Sequence, residues 1–164
     1  MTNDEPDLPT AAATDTPAAK ASPRRDNRAA AMQFLYMWEV NRSDDRNEAV
    51  RQFFSDQEHP RDYYGFSEEL VQGTLDHLEE IDALIKRHAH NWAFHRIARV
   101  DLAVLRLGIF ELLYRRDIPP VVTINEAIEL GKTYSTPDSR RFLNGILDQV
   151  KGSLDRPART AAEA

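Results

Sequence analysis

From Pro23 onward, apolar side chains recur at steps of three and four, the spacing that gathers them on one face of an α-helix. Residues 22–40, SPRRDNRAAAMQFLYMWEV, predict an opening helix with Ala30, Ala31, Phe34, Leu35 and Trp38 inward. Residues 43–57 predict a second, with Ser43 and Asp44 as caps and a stripe of Ala49, Val50, Phe53 and Phe54. Residues 62–89 carry Phe66, Leu70, Thr74, Leu78, Ile81, Leu84, Ile85 and His88 in helical register, predicting one long amphipathic helix. Residues 95–116, HRIARVDLAVLRLGIFELLYRR, are apolar on almost every face and predict a buried central helix. The run Ile118-Pro119-Pro120 interrupts it, because proline cannot continue a helix and pushes its predecessor toward extended geometry. Thr123 and Glu126 then have the T-x-x-E spacing of a capping box. Further on, Thr136 reads as a cap, Pro137 as a first helical residue and Asp138 as an acid favoured by the helix dipole, before a stripe of Phe142, Leu143, Ile146, Leu147 and Val150. Strand alternation of useful length and internal repeats are both missing. The pattern predicts an all-α protein, a compact bundle of six or seven helices.

The ends lack this pattern. Residues 1–22 hold Ala, Thr, Pro and acids, with Met1 and Leu8 as the only large apolar side chains, too few to offset the entropy of ordering. We expect a disordered N-terminal arm over 1–22, a helical domain over 23–152 and a disordered tail over 153–164. A domain of that size can bury a sizeable core. Neither a secretory signal nor a stretch long enough to span a membrane is evident, which leads us to expect a soluble cytoplasmic protein without a membrane partner. Cysteine is absent, which excludes disulfides, thiolate metal sites and a cysteine nucleophile. His88, His90 and His95 lie close in sequence, yet His-x-His on a helix sets its rings about 200° apart. The nearby acids do not follow a ligand spacing either, so we expect no metal and no cofactor. The six glycines stand singly and form no phosphate loop. Gly73, Gly108, Gly131 and Gly145 each cost about 1 kcal/mol against alanine inside a helix, and close helix packing is the expected compensation.

Charge changes the picture further. The net charge of −6 argues against a polyanionic partner, but the average conceals a division. Residues 39–82 hold 13 acids and 4 bases, whereas 24–38 together with 83–152 hold 8 acids and 14 bases. The basic part is able to meet a polyanion. Arg24, Arg25 and Arg28 crowd the first turns of the opening helix, where the helix dipole disfavours each by roughly 0.3–1 kcal/mol. Phosphate would relieve both this penalty and their mutual repulsion, whereas a solvated helix start would leave both standing. Lys132, Arg140 and Arg141 add basic charge near later helix ends, with Phe142 adjacent as a core residue or a base-stacking ring. Arg106 and Glu111 sit on the apolar central helix, where charges are rarely left unpaired. We expect both to be structural, and Asn125 and Asn144 to satisfy helix ends.

Over Arg24–Lys151 the chain resembles the NusB family of transcription antitermination factors. The resemblance rests on Asp-Leu-x-x-Leu-Arg-x-Gly-x-x-Glu-Leu at 101–112, Ile-Pro at 118–119, Ile-Asn-Glu-Ala-x-Glu-Leu at 124–130, and Ser-x-x-Phe-x-Asn-Gly-x-Leu-Asp at 139–148. The opening arginines and AMQFLYMWE fit as well. This resemblance implies an all-α bundle that binds the boxA element of nascent RNA jointly with NusE, a small-subunit ribosomal protein. It implies a place in the antitermination complex of RNA polymerase, chiefly on ribosomal RNA operons. It assigns RNA contacts to Arg24, Arg25 and Arg28, places Asp138, Ser139 and Phe142 along the RNA path, and turns Asp101 toward NusE. We add Lys132 and Arg140 to the expected RNA-binding set. Compared with the family, this chain has fewer arginines before the helix, and Asp26 intervenes. Two other functions are compatible with a helical domain of this kind: a protein adaptor without RNA, or the RNA-binding extension of a ribosomal RNA cytosine methyltransferase. The methyltransferase would need a catalytic cysteine and an α/β cofactor domain, and the chain has neither, so we expect no enzymatic activity. Monomer and homodimer both remain open.

Overall fold

The computed structural model describes residues 22–155, together with 157 and 161. The expected arm, Ser22 apart, lies outside the described residues, as does most of the tail. Among the described residues there are seven α-helices: α1 Pro23–Val40, α2 Arg46–Ser55, α3 Gly65–Asp76, α4 Leu78–His88, α5 Arg99–Tyr114, α6 Pro120–Tyr134 and α7 Ser139–Gly152. Short 3-10 turns at Arg61–Tyr64 and Phe94–Arg96 precede α3 and α5. The all-α expectation holds.

The start of α1 follows from local chemistry. Ser22 caps it by accepting the Arg25 N–H at 3.2 Å, Pro23 takes the first position, and Asp26 lies in the first turn. Helix α2 is capped by Asp45, which accepts the Glu48 N–H at 3.0 Å, so the cap falls beyond the expected Ser43 and Asp44. The long helix expected over 62–89 is two helices broken at His77. There the imidazole stacks on Tyr114 of α5 at 3.9 Å and the backbone leaves helical geometry, with φ −112° and ψ 20°. The break lets α3 pack on α1 and α5 while α4 packs on α5 and α7. Hydrophobic period survives a one-residue break, which is why the pattern did not reveal it.

Two other helix starts also differ from expectation. Pro120 begins α6, where a missing N–H costs nothing. Thr123 is therefore buried one turn inside, donating to Glu111 Oε1 at 3.3 Å, and does not cap. Helix α7 begins at Ser139, after a turn over 137–138 closed by the Ser139 N–H onto the Thr136 carbonyl at 3.1 Å. Leu154, within the expected tail, packs against the core.

Helix α5 forms the centre, with every residue from Asp101 to Leu112 buried. Helices α1, α3, α4, α6 and α7 all pack against it. Its Arg106 and Glu111 are both buried and paired, as expected of charges in an apolar run. The buried Arg106 donates to Asp82 at 2.8 and 2.9 Å and to Glu39 at 2.6 Å, tying α5 to α4 and α1. Burial pushes the Glu39 carboxyl up, but bonds and charge from Arg106 and Arg42 outweigh it and hold it below the ordinary carboxylate value. Asn125 and Asn144 do not serve helix ends: Asn125 is exposed, Asn144 half-buried, and their side chains make no hydrogen bond to the described residues.

Three of the four glycines expected inside helices are close-packing positions. A Cβ on Gly73 would run into the Phe110 ring, one on Gly131 would lie 2.6 Å from Leu143, and one on Gly108 would lie 3.2 Å from Leu147. Gly145 departs from the expectation, having none of the described residues within 4 Å of such a Cβ. Gly73→Ala should therefore destabilise by about 1–3 kcal/mol through overpacking. Gly145→Ala should stabilise by up to about 1 kcal/mol. Urea unfolding of the two variants checks this opposition of sign.

Candidate nucleic-acid interface

The opening arginines take three different positions. Arg24 is exposed, with its guanidinium 4.5 Å from the centroid of the Phe66 ring. Arg28 and Arg115 approach the same ring at 5.3 and 5.1 Å. Arg115 is neutralised by Asp117 and Glu69, and its hydrogen bonds hold the Asp117 carboxyl below the usual range. Arg25 is also exposed and forks onto Glu126 of α6 at 3.1 and 3.0 Å, which raises its own pKa further. Exposed pairs of this kind contribute about 0–1 kcal/mol, so phosphate can displace Glu126 at little cost. Arg28 is a correction: it is 4% exposed and donates to both Glu111 oxygens at 2.8 to 3.2 Å. A side chain buried in such a pair does not reach RNA.

Helix α6 carries the surface onward. The Arg25–Glu126 fork and the 3.2 Å bond from Gln33 to the Tyr134 hydroxyl hold α1 alongside α6. At 15 residues α6 is about 22 Å long. Lys132 is exposed near its far end, bonded to Glu129 at 3.2 Å. Beyond it lies the turn into α7, held by a hydroxyl network. Ser135 and Ser139 donate to Asp101 Oδ1 and Oδ2 at 2.6 and 2.9 Å, and their own hydroxyls are 2.7 Å apart. Thr136 joins at 3.2 Å from Ser139.

This network corrects the expectation for Asp101. The residue is 7% exposed and its carboxylate is occupied by the α6–α7 turn. It does not pair with Arg99, Arg96 or His95, and both of its oxygens are engaged within the fold. Ser139 is likewise buried beneath the surface, with its hydroxyl committed inward. Asp138, in the turn before α7, and Arg140, in its first turn, are exposed, and Phe142 is half-buried beside them. The expected contacts thus fall into two groups at opposite ends of α6: Arg24 and Arg25 at one, Asp138, Arg140 and Phe142 at the other, with Lys132 nearer the second. Ser139 and Asp101 lie under the second group as its support.

Sequence reasoning missed Trp92 and Arg96. Both border a cleft of about 220 Å³ at the second group, with Ile97, Asp101, Thr136, Asp138, Ser139 and Phe142 among its other walls. Trp92 is 58% exposed and meets Phe142 edge-on, at 5.6 Å between centroids and 65° between planes. A tryptophan in a turn between helices, outside every apolar stripe, was the available signal. Charge pairing separates the two halves of the surface as well. Arg42, Arg46, Arg51 and Arg61 of the acidic stretch are all paired. Among the described residues Arg24, Arg87, Arg96, Arg116, Arg140 and Arg141 have no carboxylate within 4.0 Å.

Comparison with known proteins agrees with this fold. The NusB family model matches residues 25–151. The chain is 46% identical over 138 residues to transcription antitermination protein NusB of Myxococcus xanthus, covering 82% of this chain and 98% of that protein. It is 39% identical to the NusB protein of Thermodesulfovibrio yellowstonii, covering 77% and 90%. Among solved structures, NusB from T. maritima superposes with a TM-score of 0.73 at 36% identity, over 84% of this chain and 94% of that one. A crystal structure of the antitermination factors NusB and NusE in complex with double-stranded RNA matches with a TM-score of 0.71 at 26% identity, over 80% and 98%. With the match running from the first exposed arginine fork to the end of α7, the chain belongs to the NusB family.

Proposed function

We propose that this chain is a transcription antitermination factor that binds the boxA element of nascent ribosomal RNA transcripts together with NusE, within the antitermination complex of RNA polymerase. It acts in the cytoplasm by binding, without catalysis. The observation that carries this reading is the set of exposed arginines at the two ends of α6, several without carboxylate partners among the described residues, on a chain whose overall charge is negative. Solvated arginines gain nothing from such placement, whereas a polyanion laid along α6 would engage both groups. Arg24, Arg25, Lys132 and Arg140 hold phosphates. Asp138, an exposed carboxylate with no partner among the described residues, accepts hydrogen bonds from base amino groups, and Phe142 lines the path.

The test is a titration of boxA RNA and a scrambled control, with and without NusE, at several salt concentrations. Replacing Arg24, Arg25 and Arg140 with Gln should weaken binding and reduce the salt slope by about 0.7 for each phosphate no longer neutralised. Thermal melts of the variant should stay within a degree or two of the parent, since all three side chains are exposed. RNA affinity that ignores the triple replacement would assign binding to another face. An affinity for NusE alone, with none for RNA at any salt, would make the chain a protein adaptor.

A further inference from the structure

We propose that the cleft between Trp92 and the first turn of α7 seats one unpaired base of the bound RNA, with the Trp92 indole as its stacking platform. This rests on the RNA-binding reading above and adds a base-reading position to it.

The geometry begins with the turn that holds Trp92. Its N–H bonds the Ala89 carbonyl at 3.1 Å, and the following 3-10 turn is closed by Arg96 onto Ala93 at 2.9 Å and Ile97 onto Phe94 at 3.2 Å. Ala89 and Ile97 are buried on either side, and Phe94 packs under the Lys86 and Arg106 cations at 4.8 and 5.9 Å. The turn is anchored at both ends, yet it presents its largest side chain to solvent. An edge-on neighbour cannot cover both faces of an indole, and at 58% exposure one face of Trp92 is open. Every base has a π face, so an open aromatic surface in a basic groove suits single-stranded RNA.

The surroundings favour a nucleotide over another apolar partner. Arg96 borders the cleft, and Arg140 and Arg141 line its continuation past Trp92, Phe142 and Asn144. None of the three has a carboxylate within 4.0 Å among the described residues. They can take the phosphates flanking a base held against Trp92, and Asp138, free on the rim, can accept from its amino edge. The cleft, at about 220 Å³, has room for a heterocycle. The floor is already fixed by the Asp101, Ser135 and Ser139 network, so the seat exists before RNA arrives.

The experiment combines Trp92→Ala and Trp92→Phe in the full chain with an abasic scan, in which each nucleotide of the boxA RNA is replaced in turn by a base-free linker, NusE being present. Trp92→Ala should weaken RNA binding about tenfold or more, with an unchanged salt slope, while Trp92→Phe keeps most of the affinity. At one position the abasic RNA should lose affinity for the parent but not for Trp92→Ala, because the two changes remove the same stack. The exposed position of Trp92 lets the variants fold, and melts verify it. Equal affinity of parent and Trp92→Ala, or additive losses at every position, overturns the proposal while leaving RNA binding intact. A parent that fails to bind RNA removes the proposal together with the reading beneath it. Weaker binding of Trp92→Ala to NusE in the absence of RNA gives the cleft to a protein contact and likewise overturns it.

Discussion

Arg28→Ala should lower the stability of the fold by about 3–5 kcal/mol, the typical consequence of removing one partner of a buried ion pair. Glu111 would be left buried with only the Thr123 hydroxyl at 3.3 Å in place of a guanidinium fork. For a domain of this size the melting temperature should fall by roughly 10 °C or more. Replacing both partners together, Arg28→Met with Glu111→Leu, should recover most of the loss, since an apolar pair of similar volume carries no unpaired charge. Arg24→Ala, one turn earlier and exposed, should change stability by less than about 0.5 kcal/mol. Urea unfolding of the parent and these variants tests this. A stable Arg28→Ala that loses RNA affinity and salt slope would return Arg28 to the phosphate-binding role expected from its position in sequence.

Asp101→Lys should be nearly as damaging, for a different reason. It places a cation in the first turn of α5, where the helix dipole is unfavourable, close to Arg96 on the same cleft. It also leaves the Ser135 and Ser139 hydroxyls without their acceptor. We expect a loss of about 3–5 kcal/mol. RNA binding should fall with it, because the first turn of α7 would no longer be held. Asp101→Asn keeps one acceptor oxygen and should cost only about 1–2 kcal/mol. Paired melts and calorimetry with NusE separate the alternatives: a variant that melts normally but binds NusE tenfold more weakly would show Asp101 facing the partner directly.

The acid limb of stability should carry a related signature. Glu39 and Asp117 are both held below their ordinary values by arginines, so each contributes stability above its unfolded pKa of about 4. That contribution disappears as pH falls through the lower, folded values. The hydrogen bond to Asp26 at 2.7 Å pushes the Tyr63 hydroxyl the other way, up to about 12.

What could be read along the chain was what neighbouring residues decide. Helical period, the proline break after α5 and the family motifs depend on residues within a few positions of one another, and these marked the all-α class, the buried centre and the exposed Arg24, Arg25 and Arg140. Burial at Arg106 and Glu111 was legible for the same reason, because a charge in an apolar run needs a partner wherever that partner lies. The identity of the partner was not legible. Arg28 is 83 positions from Glu111, and Asp101 is 34 from Ser135 and 38 from Ser139. Local spacing therefore made Arg28 look like a phosphate ligand, and the family resemblance alone turned Asp101 toward a partner. The split at His77 escaped for a similar reason, since the stripe continues across it and the break is set by packing on Tyr114. Trp92 belongs to no stripe, and only the approach of α7 to its turn makes it one wall of a cleft. Periodicity determines which face of each helix is buried; which charges become interior pairs and which remain for RNA is decided by how those faces meet, because a pairing energy depends on distances that exist only once the bundle has closed.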